Sequence, residues 1–116
     1  LACPFTDNEE AKIISKVKVK INEKDNTALD FSRKINNLEN INKTIFHHIG
    51  IYGFQKIFLK EYISLPVSER ERKEKLEQLR VIEQIKIHVT KISEEILGVD
   101  TVEDLDKVNK LIHKYE

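Results

Sequence analysis

The sequence has few of the residues on which several classes of protein depend. Its 116 residues include one cysteine, two prolines and three glycines, and they include neither methionine nor tryptophan. The one cysteine, Cys3, cannot form an internal disulfide, which favours a reducing, cytoplasmic location. Apolar runs are far shorter than the ~20 residues that a membrane-spanning helix needs. The opening segment does not have the pattern of a signal peptide. A disulfide-stabilised scaffold and a membrane-embedded helical protein are therefore not expected.

The charges give no net excess of either sign. Lysine and arginine together number 20, as do aspartate and glutamate. This balance does not support binding to nucleic acid or to a membrane surface through bulk electrostatics. The length suits one domain or part of one. Because the chain has no methionine and opens on Leu1, we expect it to be processed, trimmed or a piece of a longer protein.

Alternating apolar residues predict several strands. Residues Lys16–Ile21 read KVKVKI, with valines and isoleucine on one face and lysines in water. The next alternating run, ALDFS, completes a predicted hairpin. The β-branched and aromatic run IFHHIGIYGF predicts a third strand, and IKIHVTKI predicts a fourth. Residues 34–44 lack a clear period and predict a surface loop.

Periodic apolar residues and capping residues predict three helices. The first, QKIFLKEYISL, stops before Pro66. The second is a long helix from Ser68 to Gln84, with Glu71 completing a capping box at its start. The third begins at Thr101 with Asp104 at the corresponding position. Strand, helices and strand in this order predict a parallel crossover and an α/β fold.

The three glycines lie in HHIGIYGF and LGVDT, which predicts close backbone approach or unusual backbone angles there. In a strand, His48, Gly50 and Tyr52 share one face. That face could be the floor of a site for a polar ligand, or a partly solvated surface packed under a helix.

Two further positions have both a structural and a functional reading. Glu77 could form an exposed helical ion pair with Arg80, or Glu77 and Gln78 could accept hydrogen bonds from a hydroxyl-rich substrate. Asp100 follows a predicted strand and precedes a helix. It could help to cap that helix, or it could be one ligand of Mg²⁺, which takes one or two carboxylates together with phosphate oxygens.

In order, the segments LACPF, ALDFSR, HHIGIYGF, SLPVSE, EKLEQLRVIE and GVDTVEDLDKV resemble 3-deoxy-manno-octulosonate cytidylyltransferases, also called CMP-Kdo synthetases. The resemblance covers essentially the whole chain. It implies the C-terminal part of a Rossmann-like nucleotide-diphospho-sugar transferase fold, with a mixed sheet, a β-hairpin and helices. Residues 1–116 would form a single C-terminal segment without the nucleotide-binding N-terminal half.

The resemblance also implies a reaction, in which CTP and Kdo give CMP-Kdo and pyrophosphate for lipopolysaccharide synthesis. It implies a homodimer that needs the N-terminal half, so we expect the isolated segment to be inactive. Asp100 would be the catalytic magnesium ligand, and Arg33 would face the sugar carboxylate. The remaining sugar-binding residues would be His48, Tyr52, Glu77 and Gln78. We expect Asp100 and the polar side of the Tyr52 strand to converge on a single sugar-and-metal pocket, whose other wall lies outside this chain.

The chain departs from the family pattern at two places. Asp30 replaces an aromatic residue before FSR, and Gln84 is followed directly by Ile85, where an Asn-Gly turn is usual. The second departure predicts a one-residue deletion that moves Glu77 relative to the strand. The alternative function is therefore a non-catalytic remnant that acts as a dimerisation or binding module. We expect the isolated chain to be oligomeric or prone to aggregation, because a sheet edge and an apolar face would be exposed.

Overall fold

The computed structural model of the chain describes residues 1–34, 36, 44–94 and 96–115. The predicted loop 34–44 lies largely outside the described residues. Within them the strands and helices, in chain order, are β1 (Ala2–Cys3), β2 (Lys18–Asn22), β3 (Thr27–Ser32), β4 (Ile45–His48), α1 (Lys56–Ser64), α2 (Glu69–Glu74) and α3 (Val102–Tyr115). The described residues also include the 3₁₀ turns Glu10–Lys12 and Glu77–Arg80.

The four strands form one antiparallel sheet in the order β1, β4, β2, β3. Strand β2 is central, so Val19 lies opposite Phe31 on β3 and opposite Phe46 on β4. Strands β2 and β3 form the predicted hairpin. Its loop includes Asn26, whose φ of 54° lies in the left-handed region that asparagine tolerates. The predicted α/β fold is confirmed.

An extended segment, residues 87–92, pairs with both edges of the sheet. The amide of Ala28 donates to the carbonyl of Ile87 at 2.8 Å, and the amide of Ala2 donates to that of Thr90 at 3.0 Å. The segment runs antiparallel to β3 and parallel to β1. Since β1 is antiparallel to β4, the segment is also antiparallel to β4, and the predicted parallel crossover is wrong. The segment covers part of each edge, which reduces the exposed hydrogen-bonding groups there.

The core consists of buried apolar residues from the sheet, the 3₁₀ turn and the edge segment. Its members are Ala2, Val19, Ile21, Ala28, Phe31, Leu76, Leu79 and Val89. The prediction that the lysines of β2 lie in water is wrong for Lys18, which is fully buried. Its Nζ donates to the carbonyls of Ile13 and Arg33, so its polar head is satisfied. Burial, followed by the charge of Arg33, lowers the pKa of Lys18 to about 8.

Helix α1 ends before Pro66 as predicted, but the long second helix does not form. Helix α2 is capped by Ser68, whose Oγ accepts from the amide of Glu71 at 3.1 Å, and it ends at Lys75 with a φ of 54°. Arg33 explains the early end. Its guanidinium donates to the carbonyls of Glu74 and Lys75 at 3.0 and 3.3 Å. A continuing helix would need those carbonyls for amides four residues on.

The joint between Val81 and Ile85 is a hydrogen-bonded turn. The amides of Gln84 and Ile85 both donate to the carbonyl of Val81, at 2.9 and 3.0 Å. Neither residue has a positive φ, so this turn forms without the glycine that the family pattern has there.

Helix α3 has the predicted capping box, in which the amide of Asp104 donates to Thr101 Oγ1 at 3.2 Å and the amide of Thr101 donates to Asp104 Oδ2 at 3.1 Å. Of its predicted apolar face, Leu105, Leu111 and Ile112 are exposed, with accessibilities of 46%, 39% and 52%, and Val108 is half-buried. None of the described helices is long and apolar enough to cross a membrane.

Candidate functional site

A cavity of about 730 Å³ is lined by residues from the end of β4, helix α1, the turn Glu77–Arg80 and the edge segment. We call it the first cavity. It includes four of the six predicted site residues: His48, Tyr52, Glu77 and Gln78. Most of its other wall is apolar, formed by Ile51, Phe54, Phe58, Leu59, Ile63, Val81 and Ile85. This size and a few polar groups in an apolar wall are typical of small-molecule sites.

Gln78 is the most informative polar residue of the first cavity, because it is only 4% exposed. Its Oε1 accepts a hydrogen bond from the hydroxyl of Tyr52 at 3.2 Å. Its Nε2 is buried and has no hydrogen-bond partner among the described residues. A buried amide donor without an acceptor costs about 1–3 kcal/mol in folding free energy.

Tyr52 and His48 are held in their neutral forms. Burial, with the charge of Glu77 adding to it, raises the pKa of Tyr52, so the hydroxyl keeps the proton that it donates to Gln78. Burial lowers the pKa of His48 to about 4. The imidazole therefore enters the site uncharged at neutral pH. It packs edge-on to Phe31 at 5.1 Å between ring centres and lies 5.5 Å from the ring of Tyr52.

The strand predicted through Tyr52 ends at His48, which pairs with Ala2, the first residue of β1. A three-residue turn follows, closed by the amide of Ile51 and the carbonyl of Ile49 at 2.7 Å. The inference that His48 and Tyr52 share a strand face was therefore wrong. Their rings are nevertheless in contact, because Tyr52 packs against the His48 ring after the turn.

The glycines do not behave as predicted. None of the described glycines has a positive φ. A Cβ atom built at Gly50 or Gly53 would meet no atom within 4 Å. The fold therefore requires glycine at neither position, and the space beside both positions is open. Gly53 lines the first cavity.

Asp100 does not lie in the first cavity. It lines a second cavity of about 940 Å³, together with residues of the N-terminal segment and the start of α3. His48 lines both cavities. The carboxylate of Asp100 has no hydrogen bond or ion pair among the described residues. The cap of α3 is made by Thr101 and Asp104. Asp100 contributes only its backbone amide, which lies 3.4 Å from Asp104 Oδ2. The capping reading of the Asp100 side chain is thus wrong.

The expectation that the site residues converge on one pocket is met only in part. Arg33 lines neither cavity, because its guanidinium bonds the end of α2. Asp100 and Tyr52 line different cavities, with His48 between them. The roles of Arg33 and Asp100 remain predictions. The described residues contain no group of three or more histidine, cysteine, aspartate or glutamate side chains placed to hold a metal ion.

Three residues at the first cavity were not predicted to matter there: Tyr62, which lines it, and Arg80 and Glu71, which do not. Arg80 was expected to pair with Glu77, but it bonds the carboxylate of Glu71 at 2.8 and 2.5 Å. Its guanidinium lies 4.9 Å from the ring centre of Tyr62, and the Tyr62 hydroxyl donates to the carbonyl of Glu77 at 3.1 Å. The nine-residue spacing of Glu71 and Arg80 is not a helical pair, so no sequence period could have indicated this contact.

Comparison with known proteins gives a consistent relationship. No protein-family model matches the chain. A 3-deoxy-manno-octulosonate cytidylyltransferase of Haemophilus influenzae (strain PittEE) is 38% identical over 130 aligned residues, which cover 98% of this chain and 50% of that protein. The enzyme of the same name from Francisella tularensis subsp. holarctica is 42% identical over 119 residues, covering 94% of this chain and 47% of that protein.

A solved structure extends this relationship to the fold. The structure of CMP:2-keto-3-deoxy-manno-octonic acid synthetase complexed with CTP matches 99% of this chain and 48% of its own chain, with a TM-score of 0.82 and 35% identity. The present chain thus spans about half the length of these relatives. The resemblance is therefore confirmed in sequence and in fold: over nearly its whole length, this chain is similar to about half of a 3-deoxy-manno-octulosonate cytidylyltransferase.

Proposed function

We propose that this chain provides the sugar-binding part of a nucleotidyltransferase that forms CMP-Kdo and pyrophosphate from CTP and Kdo for lipopolysaccharide synthesis. The observation that carries the proposal is that His48, Tyr52, Glu77 and Gln78 line one cavity large enough for a sugar acid. The names of the relatives supply the identity of the sugar.

Each polar residue of the first cavity has a distinct part in this proposal. Gln78 Nε2 donates to a sugar oxygen, while its Oε1 stays bonded to Tyr52. Glu77, whose side chain is exposed at the cavity, accepts hydrogen bonds from sugar hydroxyls. His48 is neutral, so it contributes a hydrogen bond without repelling or attracting charge.

In the reaction, the anomeric oxygen of Kdo forms a bond to the α-phosphorus of CTP while the bond to pyrophosphate breaks, and the hydroxyl loses its proton. The residues of the first cavity serve this step by holding the sugar in one orientation. Holding one reactant in place removes the free-energy cost of bringing the two reactants together in the correct orientation. That cost is a large part of the barrier in such transfers.

We propose Asp100 as a ligand of Mg²⁺ and as the catalytic carboxylate. Its carboxylate is exposed and has no side-chain partner among the described residues, which suits an oxygen ligand of this ion. Bound Mg²⁺ would offset charge on the triphosphate. One carboxylate is a partial fit, because the described residues hold no larger ligand group. The remaining ligands would come from the nucleotide and from a polypeptide equivalent to the other half of the relatives.

We further propose that activity requires that other half, a homodimer and a cytoplasmic setting. The exposed apolar face of α3 supports a need for further packing, since a helix of this length is marginal without tertiary contacts. The experiment is an assay of the chain with CTP, Kdo and Mg²⁺, with and without a separately produced half that corresponds to the remainder of a relative. We expect turnover only with both halves.

Turnover by the chain alone would contradict the need for the other half. Absence of turnover with both halves, together with absence of Kdo binding, would contradict the proposed enzyme. A second candidate function, a non-catalytic dimerisation module, is favoured by the same exposed face of α3. Analytical ultracentrifugation separates the two: the module predicts a stable dimer that binds neither Kdo nor nucleotide.

A further inference from the structure

The turn Glu77–Arg80 presents Gln78 to the first cavity, but it has little stability of its own. It is a single 3₁₀ turn, and such turns have poorer hydrogen-bond geometry than α-helices. Lys75, two residues before the turn, has a φ of 54° and so lies in the left-handed region. This conformation raises the free energy of the folded state for any residue other than glycine. Contacts from outside the turn must therefore fix its position.

Those contacts come from three side chains, one for each part of the turn. The hydroxyl of Tyr62 donates to the carbonyl of Glu77 at 3.1 Å, and the hydroxyl of Ser68 donates to that of Leu79 at 3.4 Å. Arg80, the last residue of the turn, makes two parallel hydrogen bonds to the carboxylate of Glu71. Two-point contacts between arginine and a carboxylate fix direction as well as distance.

The arginine connects two of these contacts, since its guanidinium also lies over the ring of Tyr62 at 4.9 Å. The side chains of Arg80 and Glu71 are only 17% and 10% exposed. Neither residue lines the first cavity. Any effect they have on a ligand must act through residues that do line the cavity, namely Glu77, Gln78 and Tyr62.

We propose that Arg80 is a positioning residue for the sugar site, which holds Gln78 in place by pairing with Glu71 and packing on Tyr62. The proposal rests on the proposed function for the identity of the ligand but not for the placement of the turn. Apparent affinity falls in proportion to the fraction of molecules in the binding-competent state. If loss of the arginine leaves the turn correctly placed in about a tenth of the molecules, the dissociation constant for Kdo rises about tenfold.

The test compares Arg80→Gln with the wild-type chain by NMR of the Gln78 side-chain amide and by titration with Kdo. We expect a displaced, faster-exchanging Gln78 amide and roughly tenfold weaker Kdo binding, at an unchanged folded fraction. Arg80→Lys, which keeps the charge but not the two parallel bonds, should fall between the two. Arg72→Gln is the matched control, because it removes an exposed positive charge from α2, and it should change neither readout.

If Arg80→Gln does not fold, Tyr62→Phe removes only the hydrogen bond to Glu77, and it should displace the Gln78 amide to a smaller extent. An undisturbed Gln78 amide in a folded Arg80→Gln chain would overturn the proposal. The same holds if the Kdo dissociation constant is unchanged. If the wild-type chain binds no Kdo, the proposed function fails, while the Gln78 amide signal still decides whether Arg80 positions the turn.

Discussion

Replacement of Gln78 by leucine should increase stability while abolishing sugar binding. Gln78 is 4% exposed, and its Nε2 has no partner among the described residues. Removal of a buried, unpaired donor should raise the free energy of unfolding by about 1–3 kcal/mol. The hydrogen bond from Tyr52 is lost, at a cost of about 0.5–1.5 kcal/mol. The net expectation is a gain of about 1 kcal/mol in the free energy of unfolding.

The assay is urea unfolding of the wild-type and Gln78→Leu chains at the same low concentration, followed by circular dichroism. With an m-value of about 1–3 kcal/mol/M in urea, a gain of about 1 kcal/mol raises the urea midpoint by about 0.3–1 M. Gln84→Leu is the matched control, because Gln84 is exposed, and surface changes usually stay within about 0.5 kcal/mol. A loss of more than about 1 kcal/mol in Gln78→Leu would refute the reasoning, since it would mean that the amide is retained for folding.

Four further predictions concern single positions. The pKa of His48 is lowered to about 4, so between about pH 4 and 6.5 the unfolded chain binds a proton that the folded chain does not. The free energy of unfolding should therefore fall as the pH is lowered from 6.5 to 4, and His48→Phe should reduce this fall in urea titrations across the range. The pKa of Lys18 is lowered to about 8, so stability should rise between pH 8 and 10, and Lys18→Met should remove this rise in the same measurement. Lys75→Gly should raise the urea midpoint, by about 0.5–1 kcal/mol in unfolding free energy, because glycine adopts its left-handed angles without strain; an unchanged midpoint would contradict that strain. Gly53→Ala should keep or slightly raise stability, by about 0.4–1 kcal/mol, yet weaken Kdo binding in a titration, because the new methyl group enters the open space of the first cavity.

The local elements could be predicted from the sequence because their causes are local. Helix α3 follows from its capping box and its apolar period, and the β2–β3 hairpin follows from strict alternation around a polar loop. Pro66 sets the end of α1 in the same way. These elements depend on residues within a few positions of one another.

The errors arose where distant residues override a local pattern. The period of the second helix continues past Lys75, but Arg33, more than forty residues earlier, takes the carbonyls that the helix would need. Lys18 looks like a surface lysine in an alternating strand, yet two backbone carbonyls receive its Nζ in the interior. No period in the sequence contains these contacts.

The candidate site could be predicted in composition but not in geometry. The motif resemblance assigned His48, Tyr52, Glu77 and Gln78 to the sugar site, and the structure brings these four to one cavity, while their roles stay predictions. The same reasoning joined Asp100 to that cavity, whereas it lines a neighbouring one. The unpartnered amide of Gln78 and its support by Arg80 depend on the break at Lys75, which the sequence did not indicate.

The most direct test of the account is a Kdo titration of the ¹⁵N-labelled chain, observed at the side-chain amide of Gln78. The account predicts a saturable shift of that amide pair, a parallel response at Tyr52, and loss of both in Gln78→Leu. Absence of any response at millimolar Kdo, or a response confined to the second cavity around Asp100, would contradict the claim that the first cavity binds the sugar.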